Sequence, residues 1–224
     1  MKLKPKNIIV LSLLVAFASI SWDQNRSSIA YHLETGSRLW INGSATLGSY
    51  ECRTVAVYGI GNIDIDSINK NNSHSLTDLA NNRAQIKVLV KLFDCGNPVM
   101  NEDMYSALKA DQDSIIQYTL IKTIVQHDSV VLNGSLGLRI IGYLSIAGVS
   151  KQDTIDVNIK SLHGNKFEII GHKNLSMVDF NIIPPSAFFG LIKADKELTI
   201  NFDLIAAPKY EYYRGNTNRI YSDY

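Results

Sequence analysis

Repeated alternation of apolar and polar residues predicts an all-β fold for this chain, an antiparallel β-barrel of about eight strands with one short helix capping an end. Three observations carry the prediction. From Leu144 to Leu204 apolar residues recur at every second position, as in a sheet with one dry and one wet face. Short turn signals, Asn133-Gly134 and His163-Gly164 among them, join successive strand-like runs in hairpin order, which suits an up-and-down barrel better than a parallel sheet. Only Val99 to Ala110 has helical spacing, with Met100, Met104 and Leu108 at i, i+4 and i+8. The alternation alone is shared by barrels and sandwiches; a closed barrel either fills with side chains or keeps room for one ligand.

Three segments follow from the ends of the chain. Residues 1–21 read as a signal peptide, with Lys2, Lys4 and Lys6 as the basic region, Ile8 to Ile20 as the apolar run and Ala16-Phe17-Ala18 as the cleavage pattern. That apolar run is short for a membrane span, although an uncleaved N-terminal anchor is the competing reading. No Cys follows it, which argues against an acylated lipoprotein. Residues 22–207 form the barrel domain, and 208–224 a polar tail holding Tyr210, Tyr212, Tyr213, Tyr221 and Tyr224. The tail reads as frayed, with an interfacial aromatic belt as the functional alternative. The 22 Lys and Arg, less the three leader lysines, stand against 21 Asp and Glu, so the mature chain is near neutral and no basic cluster supports nucleic-acid binding.

Residues 22–36 lead in loosely, and Leu39, Ile41 and Gly43 then share one strand face. A strand is expected over Tyr50 to Tyr58, with Gly59-Ile60-Gly61 as a bulge or turn after it. Asp66 to Arg83, rich in Asn and Ser, reads as a long loop. Ile86, Val88, Val90 and Leu92 resume a period of two, and the turn at Gly96-Asn97-Pro98 introduces the helix. Later strands are expected over 115–125, 130–136, 138–147, 154–162, 166–173 and 197–206. Their inward sets include Ile116, Tyr118 and Leu120; Leu138, Ile140, Gly142, Leu144 and Ile146; and Ile155, Val157 and Ile159. Phe167 and Ile169, then Leu198, Ile200, Phe202 and Leu204, complete them.

Catalysis has little to draw on. His32, His74, His127, His163 and His172 are scattered without metal-ligand spacing, and no nucleophile motif, phosphate loop or CxxC occurs. Asp64 with Asp66, and Asp111 with Asp113, read as solvated turn carboxylates. The Met pair reads as packing. Cys52 and Cys95 lie at the ends of strand-like runs in a chain bound for an oxidising compartment, and either form one disulfide or remain as two buried thiols.

Several segments together carry a family resemblance. GSATLGSYEC, KVLVKLFDCGNPVMNEDMYSALKA, SIIQYTLIKTI, YLSIAGVSKQDTIDVNI and NLSMVDFNIIPPSAFFGLIKADKELTINFDL, in that order over residues 31–206, resemble the YceI-like family of exported, lipocalin-like lipid-binding proteins. The chain departs from the family in its Asn-rich stretch 66–83, in its Tyr-rich tail, and in Asn181 where many members place Gly. The resemblance implies a narrow apolar tunnel for a polyisoprenoid, a quinone or a fatty-acid-like lipid, with no cofactor and no catalysis. Its expected walls are Val88, Val90 and Leu92; Ile116, Tyr118 and Leu120; Ile140, Leu144 and Val157; and Phe167, Ile169, Ile200 and Phe202. Met100, Met104, Leu108, Phe188 and Phe189 are expected to close its ends, since the helix and the loop stiffened by Pro184-Pro185 are the evident covers. The expected function is binding, storage or transport of such a lipid in the bacterial cell envelope, in the periplasm or outside the cell. The alternative is a structural or partner-binding envelope protein with a filled barrel, and a lipid- or quinone-acting enzyme is the third reading. A homodimer and a transient contact with a membrane surface stay open.

Overall fold

The structure is a computed structural model, and it describes residues 28–64, 83–126, 135–187 and 191–209. The leader at 1–21, the Asn-rich stretch before Arg83, His74, His127, the Asn133-Gly134 turn, Phe188, Phe189 and the five tail tyrosines lie outside the described residues.

The first two wall strands are each broken once. β1 (Ser28–Leu33) leads into β2 (Arg38–Ala45), and β3 (Gly48–Thr54) into β4 (Val57–Asp64). There follow β5 (Arg83–Leu89), the helix α1 (Pro98–Ala107), β6 (Ile115–Val125), β7 (Ser135–Ile146), β8 (Val149–Leu162) and β9 (Lys166–Ser176), then the short β10 (Ser186–Ala187) and the long β11 (Ile192–Pro208). Every ladder is antiparallel, and the ring runs β1, β4, β5, β6, β7, β8, β9, β11 and back to β1. This is a closed antiparallel eight-stranded barrel with one helix. At the other end of the same wall, β11 pairs β2, which pairs β3. The step at 34–37 stays tied to β11, because Glu34 N–H donates to Ile205 O at 2.8 Å and the buried Ser37 hydroxyl accepts from Ile205 N–H at 3.0 Å. These bonds satisfy backbone groups that the kink would otherwise orphan.

Alternation places the core as expected over most of the wall. Leu138, Leu144, Ile155, Val157, Phe202 and Leu204 are buried, while their strand neighbours Arg139, Asp156 and Asn158 are exposed. The strands are longer than the sequence predicted. β7 begins at Ser135 as one strand rather than two, β8 begins at Val149, β9 runs on to Ser176, and β11 spans Ile192–Pro208.

Two local expectations are corrected. Gly59 and Gly61 form no bulge: β4 keeps regular register with β5 from Val57 to Asn62. Gly59 is there because a Cβ would stand 2.7 Å from Leu33 Cγ, so glycine lets Leu33 pack inward. The period of two breaks at Val90, where the chain enters a 3-10 turn, Val90–Leu92, anchored by Val90 N–H donating to Ser114 O at 2.9 Å. Residues three apart eclipse in such a turn. Phe93 therefore follows Val90 into the core, with both almost fully buried, and Leu92, expected inside, is 50% exposed.

Two seams open at the helix end of the barrel. The β8–β9 ladder stops at Val157 opposite Gly171; beyond it β8 is bonded only to β7 and β9 only to β11. Lys173 Nζ crosses this gap, donating to Asp153 and, at 3.1 Å, to Thr154 O. Between β3 and the chain after β5, pairing reduces to one bridge, Arg53 with Asp94, beside a disulfide joining Cys52 to Cys95 across 3.9 Å between Cα atoms.

Candidate functional site: an apolar cavity beneath the helix

The helix exists because its start is strongly specified. Asn97 caps it, its side chain accepting from Val99 N–H at 2.8 Å and Met100 N–H at 3.4 Å, and Pro98 occupies the first turn where no N–H is required. It is held to the wall by Asn101 Oδ1 accepting from Cys95 N–H at 2.7 Å and by Tyr105 Oη donating to Phe93 O at 2.7 Å. The helix ends where Lys109 turns left-handed at φ 55°. Met100, Met104 and Leu108 share the inner face as the spacing predicts, yet none is fully buried, because that face overlooks a hollow.

The hollow measures about 490 Å³. That is within the usual range for a small-molecule site, roughly 300–1,000 Å³. α1 forms one side. The wall is Ile116 of β6, Ile146 of β7, Leu175 of β9 and Ile200 and Leu198 of β11. Ile41, Ala45 and Tyr50 from β2 and β3 close the third side, with the disulfide beside them. Ile182, Pro185 and Ser186 complete it from the segment after β9. That segment leaves the 3-10 turn Met177–Phe180 through Asn181, held left-handed at φ 55°, a conformation Asn tolerates better than most residues.

The lining is almost wholly apolar. Its polar members are Tyr50, Asn97, Asp103 and Ser186; the Tyr50 ring lies over Gly43, the directly paired residue on β2, where any Cβ would collide with it. Burial, and secondarily the charge of Asp195, raise the Tyr50 phenol above its ordinary pKa, so it stays a neutral donor. Among the described residues no three His, Cys, Asp or Glu side chains gather as a metal site requires. Asp111 is engaged by Lys91 at 2.6 Å, and Asp113 accepts from Gly148 N–H at 2.6 Å.

Of the residues predicted to line a tunnel, the structure brings Met100, Met104, Leu108, Ile116 and Ile200 to this cavity. It does not bring Val88, Val90, Tyr118, Leu144, Val157 or Phe202, which are buried in the packed core. Leu120, Ile140 and Ile169 pack against that core, Phe167 stacks at a tilt on Tyr31 with 5.5 Å between ring centroids, and Leu92 faces outward. The helix and the Pro184-Pro185 segment cover the same end rather than opposite ends of a through-tunnel. Sequence reasoning missed Tyr50, Leu175, Met177, Ile182 and Ile192. The Tyr50 and Gly43 pairing was the available signal, since an aromatic facing a strand glycine marks close approach.

The architecture defines a class: an up-and-down eight-stranded barrel, filled in one half and hollow beneath a helix in the other. The chain belongs to the YceI-like domain family, whose model matches residues 22–206. Two solved structures are similar in fold. BcnA of Burkholderia cenocepacia superposes with a TM-score of 0.58 at 14% identity, covering 77% of this chain and 98% of that one. A polyisoprenoid binding domain from Saccharophagus degradans implicated in plant cell wall breakdown gives 0.56 at 16% identity, covering 81% and 99%. No curated protein matches the sequence.

Proposed function

We propose that this protein binds an isoprenoid-like or other long-chain amphiphilic lipid, without catalysis, as a carrier or store in the bacterial cell envelope. The observation that carries this reading is the apolar cavity of about 490 Å³ enclosed between α1 and the barrel wall. Transfer of an alkyl or prenyl chain into it is driven at about 25 cal/mol per Å² of apolar area removed from water, before ordering costs. The branched side chains of Ile116, Ile146 and Ile200 suit a methyl-bearing chain. The polyisoprenoid binding domain among the similar folds supports the same ligand class.

The Cys52–Cys95 bridge fits an oxidising compartment, which supports export by the leader segment. Exposed Val99 lines the cavity and exposed Ile183 and Leu191 adjoin its lining residues Ile182 and Ile192, an apolar rim suited to collecting cargo at a membrane surface.

Organic extraction of the purified protein followed by mass spectrometry tests the reading. A lipid near one equivalent, lost from an Ala194→Trp variant that fills the cavity, is the expected result. Protein that is free of lipid, and that takes up none when offered it, contradicts the reading.

A further inference from the structure

The hollow is open on one side, and the charge at that opening is negative. Of its lining residues, Asn97, Val99 and Ser186 are exposed, so the mouth lies between the start of α1 and the segment after β9. The lining holds one charged side chain, Asp103, half-buried one helical turn on from Val99, and among the described residues no cation pairs with it. Lys193 alternates on β11 with the lining residues Ile192 and Ala194, which turns it outward. A helix start commonly attracts anions through its free N–H groups. Here those groups are occupied: Val99 and Met100 N–H donate to the Asn97 side chain, Gly96 N–H to Asp94 Oδ1 at 2.9 Å, and Cys95 N–H to Asn101 Oδ1. Tyr50 is the remaining polar group held inside by its strand, and among the described residues its hydroxyl has no hydrogen-bond partner.

We infer that the cavity selects lipids by the charge of the head: it takes an uncharged head that hydrogen-bonds with Tyr50, and Asp103 turns away phosphate- and carboxylate-headed chains. The inference rests on the lipid-binding reading above and goes further by naming the head-group class. A charge of either sign loses its hydration against a lining this apolar, and an anion meets the Asp103 carboxylate as well. A hydroxyl or carbonyl head loses little, because the neutral Tyr50 phenol replaces the water it gives up.

Delipidated full-length protein is titrated with four ligands of one chain length, farnesene, farnesol, farnesyl diphosphate and farnesylamine, by displacement of an uncharged fluorescent farnesyl analogue. A head left in water would make affinity depend on the chain alone. The wild-type protein is instead expected to bind farnesol at least about tenfold more tightly than the diphosphate or the amine. Asp103→Asn should narrow the gap to the diphosphate several-fold. Tyr50→Phe, which keeps the ring over Gly43, should weaken farnesol several-fold more than farnesene. Diphosphate or amine binding the wild type as tightly as farnesol overturns the head selection and leaves the lipid-binding reading intact, and equal losses of farnesol and farnesene in Tyr50→Phe remove Tyr50 from it. If the probe does not bind and none of the four ligands does, the lipid-binding reading falls and the selection with it. The wild-type series decides the matter even if a variant fails to fold.

Discussion

Tyr118 carries the least usual local chemistry in the barrel. Its hydroxyl is buried and has no hydrogen-bond partner, and burial, with a smaller contribution from Asp153, raises its pKa. A buried hydroxyl without a partner keeps its full desolvation cost, so removing the oxygen relieves it. Tyr118→Phe should raise stability by about 1 kcal/mol in urea unfolding; a loss of similar size would mean that the hydroxyl is bonded after all. Gly171→Ala, whose Cβ would stand 2.5 Å from Phe202 Cζ, should cost about 1–3 kcal/mol by forcing Phe202 out of place, measured the same way. The sequence shows Gly142 and Tyr118 only as members of inward sets. Which inward residues pack and which face a hollow depends on where opposed walls meet, and a period of two does not contain that information.

At the scale of elements, strand text was readable wherever alternation was unbroken, and lost where a charge faces inward. Asp153 and Lys173 occupy inward positions on β8 and β9 and bond each other across the open seam. Because each interrupts the apolar set, β8 reads as starting late and β9 as stopping early, which hid Leu175 and Met177 from the cavity wall. The 3-10 turn at Val90 was hidden for another reason: its anchor, Ser114 O, is a tertiary contact, and Val90 and Leu92 fit a strand equally well. The second seam is held by the disulfide. Cys52→Ala with Cys95→Ala should cost about 2–4 kcal/mol, on the basis of loop closure over a sequence separation of 43 residues, and unfolding with and without reductant measures it.

Surface carboxylates on β8 and in the turns flanking the helix govern the expected response to acid. Asp156 is held below its ordinary pKa by hydrogen bonds from Arg139 at 2.7 and 3.0 Å, the Arg139 charge adding to them against a smaller opposing effect of burial. Asp94 is lowered by Gly96 N–H and then Asn101, and Asp111 by Lys91. Since the folded values lie below the unfolded ones, their stabilisation is fully present above about pH 4–5 and is lost as pH falls through the folded values. Urea midpoints should decline over that acid range. Arg139→Gln should flatten the decline; an unchanged slope would remove Asp156 from the account.

For the whole molecule, opening of the wall at two seams and closure by one helix create a single-ended container, with exposed Val99, Ile183 and Leu191 at or next to its lining. Ile183→Asp with Leu191→Asp should slow lipid uptake from vesicles several-fold while leaving affinity for a soluble prenyl alcohol unchanged, as followed by stopped-flow fluorescence. The barrel, its hairpin order and its helix were legible in the alternation and the Met spacing. The single-ended shape was not, because it arises from pairing that stops between strands whose text continues. The most direct measurement is methyl NMR of delipidated protein titrated with farnesol. The account predicts shifts at Met100, Met104, Ile116 and Ile200, with Leu138 and Val157 unmoved. Shifts centred on Leu138 and Val157, or none at the helix methionines, would contradict it.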